Sequence, residues 1–201
     1  MNFNKLIYIS NKFPLQGTDE WINMKKNYMS GTLITTLKNK RKYNFNIFPS
    51  KLFTGNKATA HGNYYEKIAL RKYEIMKYGY VQSLNFIPHA YIANLGFSPD
   101  GYDIHNDCLI EIKCPYTADL FKNNIKKDHY DQMQLGLQVL RSQGINTYCN
   151  YVVYDSKTDV MKIRKVEIDT MWYDEDEMTN DIKCYFEAKK DHDLKVIKLF
   201  L

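Results

Sequence analysis

Asp100, Glu111 and Lys113 are the residues whose types and spacing best suit a chemical step. They lie in Ser98-Pro99-Asp100-Gly101, followed by nine residues and then Glu111-Ile112-Lys113. In a strand, alternate side chains share a face, so Glu111 and Lys113 project together while Ile112 points into a core. Pro99-Asp100-Gly101 reads as a bend joining two strands. A hairpin through Tyr102–Asp107 then returns Glu111 beside Asp100. Two carboxylates and an ammonium at the end of a sheet suit hard cations such as Mg²⁺ or Mn²⁺, which keep waters and recruit phosphate oxygens. Such an ion lowers the pKa of a bound water and neutralises charge on a phosphoryl transition state. The lysine beside it orients the attacking water and stabilises developing negative charge. The chemistry such a set would support is phosphodiester hydrolysis. Asp, Glu and Lys are common, however, and an exposed strand edge with charges on one face has the same pattern.

The elements that must position these residues are legible in outline. Asp19–Lys26 reads as a helix with acids in its first turn and lysines later. A second short helix follows Gly31. Lys38–Lys42 carries four basic residues in five and, with Asn44, Asn46 and Pro49, reads as a loop. His61–Tyr78 has the strongest helical period, through Tyr65, Ile68, Ala69, Lys72, Tyr73 and Met76, with Gly79 as its stop. Tyr80–Ile87 and Tyr91–Phe97 read as strands separated by Pro88, and Cys108–Cys114 as another ended by Pro115. Lys127–Gln143 reads as a helix burying Met133, Leu137 and Leu140, stopped by Gly144. Thr147–Tyr154 and Val160–Ile168 form a hairpin, and an acidic, helical segment runs from Met171 to Lys190. The order implies a single α/β domain over residues 1–201, with a mixed sheet flanked by helices.

Composition sets the limits. The 201 residues suffice for one sizeable core. At 44% hydrophobic and 25% charged, the chain is neither disordered nor a disulfide scaffold. A net charge of +5 is a mild bias towards polyanions. No apolar run reaches the ~20 residues that span a bilayer, and the N-terminus lacks a signal-peptide pattern, so an intracellular protein with no membrane partner is expected. Cys108, Cys114, Cys149 and Cys184 have no zinc-ribbon spacing and are expected to be free thiols.

The blocks around the triad carry a resemblance. Ser98-Pro99-Asp100-Gly101 and the strand ending Glu111-Ile112-Lys113-Cys114-Pro115 closely resemble the lambda-exonuclease and YqaJ-type viral recombinase family of PD-(D/E)XK nucleases. Other blocks are similar in the same order. They are Gln16-Gly17-Thr18-Asp19-Glu20-Trp21 with Lys25 and Ser30-Gly31-Thr32, then His61-Gly62 with Glu66 and Ala69, then Tyr130-Asp131-Gln132-Met133-Gln134. The resemblance runs from about residue 16 to 154 and leaves the last forty-odd residues without a family mark.

The resemblance implies a restriction-endonuclease-like core with two Mg²⁺ ions per site, Mn²⁺ substituting. Asp100 would bridge the ions. Glu111 and the Ile112 carbonyl would complete one site, and Glu66 would sit in or next to the ligand set. Lys113 would contact the nucleophilic water or scissile phosphate, and Gln132 would position water or substrate. The N-terminal helical segment 16–40 would contribute to the DNA-end site. There the family's 5′-phosphate pocket uses an Arg and a Ser, matched here by Lys25 and Thr32, with Ser30 as an alternative hydroxyl. Lysine cannot make arginine's bidentate fork on phosphate. Ser98 would shape the turn or hydrogen-bond a metal ligand, and His61 would cap its helix or touch DNA. The implied activity is 5′→3′ digestion of one strand of linear duplex DNA. It leaves 3′ single strands for recombination or viral and phage DNA processing. Implied partners are duplex DNA ends, further copies of the chain in a ring-shaped trimer, and a single-strand annealing protein. Lys38–Lys42, Lys122, Lys126 and Lys127 could line a DNA channel or form a solvated face. An endonuclease, an RNA-degrading enzyme and a catalytically idle DNA-binding adapter remain alternatives.

Overall fold

The strand expected around Glu111 forms as β5 (Cys108–Lys113), at the centre of a five-stranded sheet. The computed structural model describes residues 2–40, 56–116 and 124–198, the side chains of 2, 32, 40 and 193–198 excepted. In chain order the elements begin with α1 (Asn2–Ser10), α2 (Asp19–Lys25), α3 (Thr32–Lys40) and α4 (Lys57–Lys77). Then come β1 (Val81–Gln82), β2 (Ile87–Pro88), β3 (Gly96–Phe97), β4 (Gly101–Asp103) and β5. The chain ends with α5 (Lys127–Ser142), β6 (Cys149–Asp155), β7 (Val160–Val166) and α6 (Glu175–Lys198). The sheet order is β1-β4-β5-β6-β7. Only β5 and β6 are parallel, joined by the α5 crossover, so the sheet is mixed. Strands β2 and β3 form a separate antiparallel pair.

The period of two along β5 and β6 divides the interior into two layers. Cys108, Ile110 and Ile112, with Val152 and Tyr154, pack against Ala69 and Tyr73 of α4. Leu109, Tyr151 and Val153 face the other way, towards Met133, Leu137 and Leu140 of α5, Ile34 and Leu37 of α3, and Leu6 of α1. The inward residues expected on the Lys127–Gln143 helix are all buried. The helix ends at Gly144, which takes the left-handed φ of 79° that glycine favours.

Several expected elements are corrected. Tyr80–Ile87 is not one strand, because residues 83–86 are tied to the α1–α2 connection instead of a neighbouring strand. Asn85 donates from its backbone to Ser10 Oγ and from its side chain to the Phe13 carbonyl. Tyr91–Phe97 is strand only at β3. The His89 ring accepts from the backbones of Tyr91 and Ile92, which makes a turn. Pro88 lies inside β2, not between strands. The left-handed residue ending α4 is Tyr78, at φ 49°, with Gly79 donating back to the Glu74 carbonyl. Gly79 is required for space, since a Cβ there would lie 2.4 Å from Asp103 Oδ2. The acidic run at Asp174–Glu177 forms the start of α6. Asp174 Oδ1 accepts from the Glu177 backbone, with three acids in the first turn. Lys38–Lys40 continue α3, whereas Arg41, Lys42 and Lys122 lie outside the described residues. No described helix is long and apolar enough to cross a membrane. All four cysteines are free, with Cys108 and Cys149 buried.

Gly101 opens β4 immediately after Asp100. A Cβ there would meet Val81 Cγ1 at 2.4 Å. Gly101→Ala is therefore expected to destabilise by about 1–3 kcal/mol, the cost of overpacking a well-filled site, and to shift Asp100 with it. Urea unfolding measures the first effect, and the pH dependence of that unfolding, set by the raised Asp100 pKa, reports the second.

Candidate active site

The β4–β5 hairpin places Gly101 opposite Ile110, so Asp100 enters the sheet opposite Glu111. Asp100 Oδ2 accepts from the Ile112 backbone N–H at 2.7 Å. In an extended strand a residue's N–H and C=O point to the same side, so the Ile112 carbonyl also faces the Asp100 edge. The Lys113 ammonium donates to Glu111 Oε1. Both side chains are largely buried, with Glu111 13% and Lys113 24% exposed.

The charges are strongly coupled. Burial pushes Asp100 well above the usual carboxylate range. The Glu111 charge adds to this, and Lys113 opposes it. Burial also raises Glu66, which is held down by Lys113 and raised by Glu111. Burial works against the Lys113 ammonium, but Glu111 and Asp100 outweigh it and its pKa rises. Glu66, on α4, thus shares one electrostatic site with the three residues on β4 and β5.

The N-terminal block holds the bend before Asp100. Gln16 Nε2 donates to the carbonyls of Pro99, at 2.9 Å, and Leu84, at 2.7 Å. Trp21 serves the bend as well. It is half-buried, and its Nε1 donates to Ser98 Oγ at 3.2 Å. Lys25 lies over the Trp21 ring, 4.2 Å from its centroid, and burial lowers its pKa. Through Trp21, this desolvated ammonium lies two contacts from Ser98 and is a natural anion acceptor. Ser30 is buried beside the Met29–Leu95 bridge and offers no surface hydroxyl. The Thr32 side chain lies outside those described.

Most of the glutamine block on α5 is committed to architecture. Tyr130 donates to Asp169 Oδ2. Asp131 accepts from Trp172 Nε1 at 2.6 Å and pairs with Lys38 and Lys127. Gln134 binds the Glu167 carbonyl and the Asp169 N–H. Gln132 is the half-buried polar member that these contacts leave out. Lys38 and Lys127 thus anchor α3 and α5. His61 lies with Ser156 and a group of tyrosines.

Two residues near the carboxylates escaped the sequence reading. Tyr151 is the β6 partner of Glu111, and its hydroxyl lies 2.7 Å from His129 Nδ1. Burial, opposed by Lys113 and assisted by Glu111, pushes the Tyr151 phenol up to about 12. Burial and Lys113 push His129 down to about 4, so this imidazole is neutral at physiological pH. Periodicity places each on its element, but no local pattern says that β6 lies beside β5 in this register.

Among the described residues, no group of three or more His, Cys, Asp or Glu side chains is arranged to hold a metal. The available donor set is two carboxylates and a backbone carbonyl. All are hard oxygens, and the like charge that raises Asp100 is what a divalent cation would relieve. The donors fit such an ion.

The same structure resembles known ones. An alkaline exonuclease (LHK-Exo) from Laribacter hongkongensis superposes with a TM-score of 0.66 at 22% identity, over 90% of this chain and 96% of that one. Its complex with dAMP gives a TM-score of 0.70 with the same identity and coverage. This chain therefore has the restriction-endonuclease-like fold. No curated protein matches the sequence. The model of the YqaJ-like viral recombinase domain matches residues 20–145, which include Lys25, Glu66, Asp100, Glu111, Lys113 and Gln132. That match spans more than half of the 201 residues, and the chain belongs to the YqaJ-like viral recombinase domain family.

Proposed function

We propose that this chain is a Mg²⁺-dependent deoxyribonuclease that digests one strand of linear duplex DNA from its 5′ end. It leaves 3′ single strands for recombination or for processing of viral or phage DNA. The observation that carries the reading is the convergence of Asp100, Glu111 and Lys113 at one end of the β4–β5 hairpin, with Glu66 in the same field. Family membership and the resemblance to an alkaline exonuclease support it.

Asp100, Glu111 and the Ile112 carbonyl would hold the cation, with Glu66 beside them. When bound, a divalent ion supplies Lewis acidity, lowering the pKa of water and neutralising phosphoryl charge. Lys113 stays protonated between its carboxylates and places a positive charge where negative charge develops on the scissile phosphate. Gln132 offers an amide to orient water or a phosphate oxygen. Lys25, stacked on Trp21 beside Ser98, binds the 5′-terminal phosphate as a point charge.

The test is linear duplex DNA labelled separately at each end, with Mg²⁺, beside covalently closed circles. Early release of 5′ label with the circle intact is expected. Cutting of circles would reassign the protein as an endonuclease. DNA binding without cleavage in Mg²⁺ or Mn²⁺ would make it an adapter. Lys25→Ala is expected to reduce the preference for 5′-phosphate over 5′-hydroxyl ends by roughly tenfold or more, the lower range for a charge-assisted hydrogen bond. Cleavage of long DNA at saturation should change less. An unchanged ratio between the two ends rejects the assignment.

A further inference from the structure

His61, Tyr64, Tyr65, Tyr116 and Tyr154 form a continuous ring cluster beside the candidate active site. His61 lies 4.5 Å from Tyr65 and 5.3 Å from Tyr116, centroid to centroid, the latter edge-on at 88°. Tyr64 meets Tyr65 at 5.0 Å and 86°, and Tyr65 reaches Tyr154 at 6.3 Å. The inner rings are anchored. Tyr154 donates to Asp159 Oδ1 at 2.7 Å, His61 Nε2 lies 3.3 Å from Ser156 Oγ, and Tyr65 packs into the layer between α4 and the sheet. The outer two are not covered, with Tyr64 64% and Tyr116 51% exposed.

The cluster adjoins the site along the chain and through Cys114. Tyr65 immediately precedes Glu66, and Tyr116 stands three residues beyond Lys113. Between them Cys114 packs in the same layer as Tyr65 and lies in the field of Glu66, Asp100 and Lys113. Cations border the cluster, and the exposed Asp159 beside Tyr154 is paired with Lys72. Lys57, one helical turn before His61 on α4, and Lys157, next to Ser156, are both exposed. Exposed rings bordered by cations, close along the chain to Glu66 and Lys113, fit a nucleic-acid strand whose backbone tracks the lysines and whose bases meet the rings.

We propose that Tyr64 and Tyr116, backed by His61 and Tyr65, form a stacking platform for unpaired bases of the DNA strand whose backbone passes Lys113. This rests on the nuclease reading and names the form of substrate it holds: a strand already separated from its partner. Stacking accepts every base, so the platform adds affinity without sequence preference.

The test is fluorescence anisotropy in metal-free buffer with EDTA. It compares a labelled oligodeoxythymidylate with the same strand carrying abasic residues. The wild-type chain is expected to favour the base-bearing strand by about tenfold or more, the range of aromatic stacking on one or two bases. Tyr64→Leu/Tyr116→Leu removes the π-faces and should abolish that preference, whereas Tyr64→Phe/Tyr116→Phe should retain it. Both pairs should unfold near the wild-type temperature, because the outer rings are exposed. Equal wild-type affinity for the two strands, or an undiminished preference in the leucine pair, overturns the platform. Failure of the two readings is distinguishable. Cleavage in Mg²⁺ without base preference overturns the platform alone. Base preference without cleavage in Mg²⁺ or Mn²⁺ supports the platform and overturns the nuclease alone.

Discussion

Lys113→Ala is expected to abolish cleavage of linear duplex DNA, lowering kcat by at least about 10²–10³-fold, the loss seen when one preorganised charge-stabilising group is removed. DNA binding should survive, because long-range affinity comes from many phosphate contacts of which this is one. The fold should survive as well, since Lys113 is the last residue of β5 and its ammonium faces Glu111, not the apolar layer. The variant should nevertheless show a pH signature. Lys113 opposes the upward push on both Asp100 and Glu66. Without it those carboxylates titrate higher still in the folded chain. A carboxylate whose folded pKa exceeds its unfolded value costs stability as pH rises through that range, and the cost disappears on acidification. The melting temperature of Lys113→Ala should therefore fall furthest below wild type near neutral pH and approach it in mild acid. Normal turnover by this variant would remove Lys113 from the site.

Asp100→Asn is expected to be equally inactive but more stable than wild type in metal-free buffer. Desolvation and the Glu111 charge disfavour the Asp100 carboxylate, with Lys113 only partly offsetting them. Folding stability held by the protonated form is lost as pH rises through the raised pKa, so at neutral pH the charge destabilises. Asparagine removes that charge and keeps an oxygen for the Ile112 N–H. The melting temperature should rise, each kcal/mol being worth about 2–4 °C in a chain of this size. Mg²⁺ should then stabilise wild type by preferential binding to the folded state and leave Asp100→Asn unmoved. Equal Mg²⁺ shifts in the two proteins would place the ion elsewhere. A melting temperature below wild type would show that the carboxylate contributes net stability, against the sign argued here. Inactivity paired with higher stability distinguishes a functional carboxylate from a structural one, because a structural residue loses stability when replaced.

Local features carried part of this picture in the amino-acid order alone. The alternation in Cys108–Lys113 puts Glu111 and Lys113 on one side and Ile112 on the other. The short span from Asp100 leaves a hairpin as the way to bring its carboxylate back. Helices α4 and α5 were legible because their apolar residues recur at helical spacing, and α5 because Gly144 takes the left-handed turn at its end. These depend on contacts between residues close in sequence, which the order of side chains encodes directly.

Tertiary structure decided the rest. Leu84 and Phe86 have strand-like neighbours, yet Ser10, Phe13 and Gln16 take that segment's hydrogen bonds and no long strand forms. Gln16 holds the Pro99 carbonyl from 83 residues away. Tyr151 stands beside Glu111 only because β6 pairs with β5 in parallel in one register, which a slip of one residue would turn to the opposite face. His129 joins it because α5 packs over that face. Tyr64 is exposed because Tyr65 takes the inward position one residue on. The sequence alone thus determined which residues could act together on one hairpin. Packing between distant elements determined which other groups surround them, because burial, register and electric field arise only when those elements meet.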